Sequence, residues 1–242
     1  MTATGGDGNG RTSRSQEVYE RLRAAIVHGE YRPNERLVEL DIAERLKASR
    51  TPIREAFQRL AAEDLIVRRP RRGWVVREFS PEELREIFET RAALEGFAAR
   101  LAARRGSDEE LRAISSMYPP PEELLVPSDA AERRMIVDLN DRYHEAIVDA
   151  ARNRRLAEAI HRNAAYYFNY PLASMYSEEE HRLTLKEHER ITEALMARDE
   201  DQAELHARIH ILNALADILS KLGYEAEDLI MYRPPLGRTL QR

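Results

Sequence analysis

The chain has 242 residues, 43% of them hydrophobic, and a formal net charge of −5, enough apolar material for one large or two modest domains. It holds no cysteine, which excludes disulfides and thiolate metal sites and suits a reducing cytoplasm. No long uninterrupted apolar run occurs and the opening MTATGGDGNGRTSRS lacks the apolar core of a secretory signal, so neither a membrane span nor export is expected.

In chain order, residues 1–14 are Gly- and Ser-rich and are expected to be flexible. Val18, Leu22, Ala25 and Ile26 then fall on one face of a first helix that ends near His28-Gly29, since glycine commonly closes a helix. Leu37, Leu40, Ala43 and Leu46 give a second, short apolar face. It meets a third helix at a Lys47-Ala48-Ser49 turn, as in a helix-turn-helix. Thr51-Pro52 predicts the start of that third helix: a residue before proline suits an N-cap, and proline suits the first helical position. Ile53, Ala56, Phe57, Leu60 and Ala61 form its apolar stripe, while Arg54, Gln58 and Arg59 lie opposite. Arginine and glutamine can make paired hydrogen bonds to guanine or adenine edges in a major groove. Leu65–Val67 and Trp74–Val76 are short strand-like runs on either side of the basic turn Arg68-Arg69-Pro70-Arg71-Arg72-Gly73. Three helices and a hairpin predict a winged helix-turn-helix over residues 15–78; the plainer alternative is a solvated helix followed by a charged loop.

Charge favours the first reading. Residues 11–77 carry a net +6 and residues 78–242 a net −10, a difference hidden in the whole-chain pI of about 5.9. Because a duplex is densely anionic and binding releases its counterions, a basic head on an acidic body docks through the head.

Ser80-Pro81-Glu82-Glu83 is a strong helix start, with serine as N-cap and Glu83 completing a capping box. From there the pattern predicts helices over about 81–104, 108–117, 128–151, 154–169, 178–198 and 200–222, punctuated by Pro119-Pro120-Pro121, Ser128-Asp129, Asn153, Pro171 and Gly223. No alternating strand pattern competes, so residues 79–223 are expected to be an all-α bundle and 224–242 a loosely held tail. The fold class is therefore mainly α.

Four of the seven histidines, His144, His188, His206 and His210, lie on three of these helices. Imidazole is the commonest metal ligand, and without cysteine a histidine and oxygen cage is the one this chain can build. Asn140 and His144 are four apart and share a helical face. A buried or surface histidine without any metal remains the alternative for each.

The run from Tyr31 to Val76 resembles the N-terminal head of the GntR regulators, through Arg32-Pro33, Glu39-Leu40-Asp41-Ile42-Ala43, Ser49-Arg50-Thr51-Pro52-Ile53-Arg54-Glu55-Ala56, Arg59-Leu60 and a wing ending at Gly73. Asp64 stands where that pattern has glycine, and Leu40 where some members have a phosphate-contacting arginine. Residues 80–222 resemble the FCD effector domain of the FadR subfamily, at Arg91-Ala92-Ala93-Leu94-Glu95, at Leu139-Asn140-Asp141-Arg142-Tyr143-His144 and at Glu187-His188 with the later His210. The resemblance implies DNA contacts at Ser49, Arg50, Thr51, Arg54, Arg72 and Gly73. It also implies a divalent metal held by Asn140, His144, His188 and His210, with zinc first and nickel, manganese or iron as alternatives, and His206 a bystander. Asn140 replaces the aspartate of many metal-binding members; Asp141 sits about 100° further round the helix.

Together these readings predict a cytoplasmic, homodimeric, sequence-specific DNA-binding regulator, a repressor, on an inverted-repeat operator, controlled by a small organic acid at the metal-containing site. Arg91 is a plausible partner for the acid's carboxylate through a two-point guanidinium contact; a structural Arg91–Glu95 pair along one helix is the alternative. Two rivals stand beside this reading, a sensor in which the ion is itself the signal and a metal-dependent helical enzyme. Against the enzyme, His144-Glu145 and His188-Glu189 have Val148 and Thr192 where an HExxH motif needs its second histidine.

Overall fold

The computed structural model describes residues 14–118, 129–163 and 177–224, and the chain divides into two compact units, Met1–Glu78 and Phe79–Arg242. The first unit contains α1 (Arg14–Val27), β1 (Arg36–Leu37), α2 (Glu39–Leu46), α3 (Arg50–Ala62), β2 (Ile66–Arg69) and β3 (Gly73–Val76). The strands form one antiparallel sheet in the order β1-β3-β2, with Arg69 opposite Gly73 at the wing tip. This is a winged helix-turn-helix. Leu22 and Ile26 from α1, Ile53, Phe57 and Leu60 from α3, and Val75 and Val76 from β3 are sealed in its core. Phe57 meets Trp74 edge to face at 5.8 Å, which fixes α3 against the wing.

Three local expectations change. Leu37 belongs to β1, where it pairs with Trp74 and is buried, rather than to a helical face; Leu40 is 47% exposed, and α2 buries Ile42, Ala43 and Leu46 instead. The third helix starts two residues earlier than Thr51-Pro52 suggests, with Ser49 as N-cap. Pro52 is tolerated there because the first turn of a helix has no intrahelical use for its amide hydrogens. Arg59 leaves the reading face: its guanidinium donates to Gln16 at 2.6 Å and lies 3.6 Å over the Tyr19 ring on α1. Asp64 adopts φ 58°, which explains why glycine suits that place, and pairs with Arg77 at 2.5 Å.

Among its described residues the second unit is entirely helical: α4 (Pro81–Arg105), α5 (Asp108–Ser115), α6 (Ala130–Ala150), α7 (Arg154–Arg162), α8 (Glu178–Met196) and α9 (Glu200–Lys221). Ser80, Ser107 and Ser177 each begin a helix with a reciprocal capping box, to Glu83, Glu110 and Glu180, so both the serine hydroxyl and the glutamate satisfy otherwise idle amides. Asp129, Asn153 and Asp199 cap α6, α7 and α9. The Pro119–Pro121 interruption, Ser128, the stretch beyond Asn163 with Pro171, and the two terminal segments lie outside the described residues.

One core gathers Ala99 and Ala102 of α4, Tyr143 and Ile147 of α6, Ile191 and Leu195 of α8 and Ala203 and Ala207 of α9. A second joins Leu84 and Phe88 of α4 to Ile211, Leu215 and Leu219 of α9. The two helices approach closely at Gly96, where a Cβ would stand 2.3 Å from Arg208 Cγ and 3.3 Å from the Glu204 carbonyl oxygen. That close approach presents the inner face of α9, and with it His210, to α6 and α8.

Candidate metal centre and DNA-reading face

Three histidines meet inside the helical unit. His144 comes from the middle of α6, one residue after the fully buried Tyr143; His188 comes from α8 and His210 from α9. Each falls on the apolar stripe of its helix, so packing the stripes together carries the imidazoles inward, and all three are at least 94% buried. Their Nε2 atoms converge: His210 Nε2 stands 3.2 Å from His188 Nε2 and 3.2 Å from His144 Nε2. One ligand atom from each lies within 4.8 Å of the other two.

Two of the three outward nitrogens lie against carboxylates. His210 Nδ1 is 2.8 Å from Glu187 Oε2, and Glu187 Oε1 accepts from the Asn213 amide at 2.5 Å. His144 Nδ1 is 3.3 Å from Glu95 Oε2, and Glu95 Oε1 accepts from Arg91 Nε at 2.7 Å. His188 is placed by aromatic neighbours, with Tyr118 stacked on it at 4.8 Å and Tyr143 tilted against it at 4.7 Å. The Tyr143 hydroxyl also bonds the His188 carbonyl at 3.0 Å and Thr192 Oγ1 at 2.9 Å.

Burial alone pushes the Glu95 carboxyl up, but Arg91 and His144 more than reverse this and hold it at about 2, a charged group in the interior. Burial lowers His144, with Glu95 opposing, and lowers His188 well below its ordinary value with help from His210 and His144. His144 and His188 are therefore neutral near neutral pH. A neutral ring that donates its Nδ1 hydrogen to a carboxylate turns its Nε2 lone pair the other way. Nε2 atoms 3.2 Å apart are reconciled either by a hydrogen carried on one of them or by a cation between them, and this donor set fits a divalent metal of the kind that accepts imidazole.

Of the other residues read from the sequence, Asn140 lies one turn before His144, half-buried, with its amide nitrogen 3.5 Å from Asp141 Oδ1. Asp141 does not join the cluster. Arg91 is buried and paired with Glu95, the structural alternative set out above. His206 lines a cleft of about 500 Å³ between α8 and α9, whose wall also includes Glu187, His210 and Asn213. Sequence reasoning missed Glu95 and Glu187 as histidine partners.

In the first unit Ser49, Arg50, Thr51 and Arg54 are exposed together at the start of α3, and Arg72 is exposed at the wing, where it donates to the Asn34 carbonyl at 3.2 Å. Gly73 opens β3 at φ 75°. Arg54 Nε donates to Glu39 Oε2 at 2.9 Å.

A winged helix-turn-helix joined to a helical unit with a buried polar centre defines a ligand-responsive transcriptional regulator. The chain belongs to the GntR family of bacterial regulatory proteins: residues 14–76 match that family's model and residues 86–213 match the FCD domain. It is 29% identical over 217 residues to the HTH-type transcriptional repressor RspR of Escherichia coli (strain K12), spanning 88% of this chain and 92% of that one. The Nta operon transcriptional regulator of Aminobacter aminovorans is 29% identical over 189 residues, 78% of this chain and 87% of its own length. Among solved structures, Escherichia coli McbR/YncC shares the fold at TM-score 0.75 and 22% identity, over 88% of this chain and all of that one. Both sequence relatives are named as transcriptional regulators. Among the described residues no helix is long and apolar enough to cross a membrane.

Proposed function

We propose that this regulator is a cytoplasmic repressor that binds an inverted-repeat operator as a homodimer, and that a small organic acid controls binding through a divalent metal in the helical unit. The reading is carried by one observation, the convergence of three buried Nε2 atoms with two of the outward nitrogens facing carboxylates. His144, His188 and His210 are the proposed ligands, with Asn140 as the fourth and zinc the first candidate ion. Bound there, the metal would supply a Lewis-acidic centre, which a carboxylate would reach by displacing Asn140 or by raising the coordination number above four. Arg91 has two claimants, the Glu95 carboxylate at 2.7 Å and an incoming acid, and an effector that reaches its guanidinium competes with Glu95.

DNA contacts are assigned to Ser49, Arg50, Thr51 and Arg54 at the start of α3 and to Arg72 and Gly73 at the wing. The exposure of this group, the +6 charge of residues 11–77 and the burial of the opposite face of α3 support it. An effector can alter DNA affinity only by as much as it distinguishes two states of the protein, and a dimer whose heads change spacing provides such states.

Operator duplexes selected from a random pool, followed by titration with zinc and then with small organic acids, test the proposal. Acid-dependent change in operator affinity that needs the metal supports it. Affinity that follows the metal alone establishes the sensor instead, and indifference to both overturns the effector reading.

A further inference from the structure

Resting on the metal-site reading above, we infer that Glu95 and Glu187 are the positioning residues of that site, and that Arg91 and Asn213 serve to hold those two carboxylates. Neither carboxylate is a ligand. Glu187 hydrogen-bonds the outward Nδ1 of His210 at 2.8 Å, while Glu95 Oε2 lies against the Nδ1 of His144 at 3.3 Å, a looser ion-pair approach short of a formed hydrogen bond. Each carboxylate is itself tied down by its other oxygen, Glu187 to Asn213 at 2.5 Å and Glu95 to Arg91 at 2.7 Å. The pattern repeats on two separate helix pairs: α4 supplies both the carboxylate and its holder for α6, while α8 supplies Glu187 for α9, whose own Asn213 completes the loop.

Such a carboxylate does two things for an imidazole: it selects the tautomer with hydrogen on Nδ1, and it fixes the ring plane. A ring in the other tautomer would point a hydrogen, not a lone pair, at its neighbours 3.2 Å away. Among the described residues His188 has no such partner; its Nδ1 is buried without a hydrogen bond there, and its ring is set by Tyr118 and Tyr143 instead. The two devices differ in access. Glu95 is 4% exposed, whereas the Glu187 side chain is 20% exposed and forms part of the wall of the cleft between α8 and α9. Glu187 is thus the position at which the site can be altered from outside the core, and the safer one to mutate.

The test uses the full-length protein with ¹⁵N-labelled histidine and three variants, Glu187→Ala, Glu187→Gln and Glu95→Gln. In metal-free wild type, long-range ¹H–¹⁵N spectra are expected to show His144 and His210 protonated on Nδ1. Glu187→Ala releases His210 from that tautomer and leaves His144 in it, while Glu187→Gln, which keeps an oxygen acceptor, retains it in part. Zinc affinity, read by competition with a chromophoric chelator, falls about 10–100-fold in Glu187→Ala and less in Glu187→Gln. Glu95→Gln reproduces the effect at His144 if it folds. An unchanged His210 tautomer in Glu187→Ala overturns the inference. Wild type that binds no metal but shows the tautomers and their loss overturns the metal reading and leaves the positioning role standing.

Discussion

Arg54, one of the exposed arginines of α3 proposed above to contact DNA, is paired in the free protein with Glu39 of α2, Nε to Oε2 at 2.9 Å. The pair is largely solvent-exposed and contributes little to stability, so its consequence is for binding. DNA must compete with Glu39 for the guanidinium. Arg54→Ala is expected to reduce discrimination between operator and scrambled duplex by roughly 1–3 kcal/mol, the worth of a bidentate base contact. Equal weakening on both duplexes, measured by fluorescence anisotropy at one salt concentration, would show that Arg54 touches phosphate alone.

Removing Arg91 leaves the Glu95 carboxylate buried without its main counter-charge. Arg91→Ala is therefore expected to destabilise the helical unit by about 3–5 kcal/mol, as for a broken buried ion pair. Urea unfolding followed by far-ultraviolet circular dichroism measures it. A loss below about 1 kcal/mol would mean that Glu95 takes up a proton at little cost.

In metal-free protein, stability should fall as the solution is acidified from pH 8. His188 and His144 sit below their ordinary value of 6.5 when folded, so below 6.5 the unfolded chain binds the additional protons and stability declines with falling pH. Each histidine contributes at most about 1.4 kcal/mol per pH unit in that window. Glu95 acts lower: held at about 2, its stabilisation is complete above 4.5 and fades only toward 2. Melting temperatures between pH 8 and 5 resolve the first effect, and His188→Leu is expected to flatten the slope.

Zinc in excess should raise the melting temperature of wild type, because an ion that binds only the folded state stabilises it by about 2.7 kcal/mol at a hundred times its dissociation constant. A chelator reverses the gain, and His210→Ala abolishes it. An increase that survives in His210→Ala places the ion elsewhere.

Much of this architecture was legible because the signals were local. The capping box at Ser80 and Glu83 announces α4, and the stripe Ile53, Ala56, Phe57, Leu60 announces the buried face of α3. Where a signal is short or shared, sequence misleads. A two-residue strand has no periodicity, so Leu37 of β1 reads as part of the helix that follows, and the spacing that sets Arg59 opposite the apolar stripe carries no sign of Tyr19 of α1 beside it. The histidines are visible as residue types on helices, but their meeting is tertiary. Glu187 is the clearest case: adjacent to His188 in the chain, it serves His210 instead, since neighbours on a helix point about 100° apart.

Tyr143 carries one more consequence. Its phenol bridges α6 to the α8 backbone beside the very imidazole it packs against, so the first two nitrogen donors travel as a welded pair. Prising them apart would strand a buried hydroxyl at a cost of about 1–3 kcal/mol. In the proposed metal site, fitting an ion of another radius would fall first to the His210 ring, which is oriented by a side-chain carboxylate and not by the Tyr143 bridge.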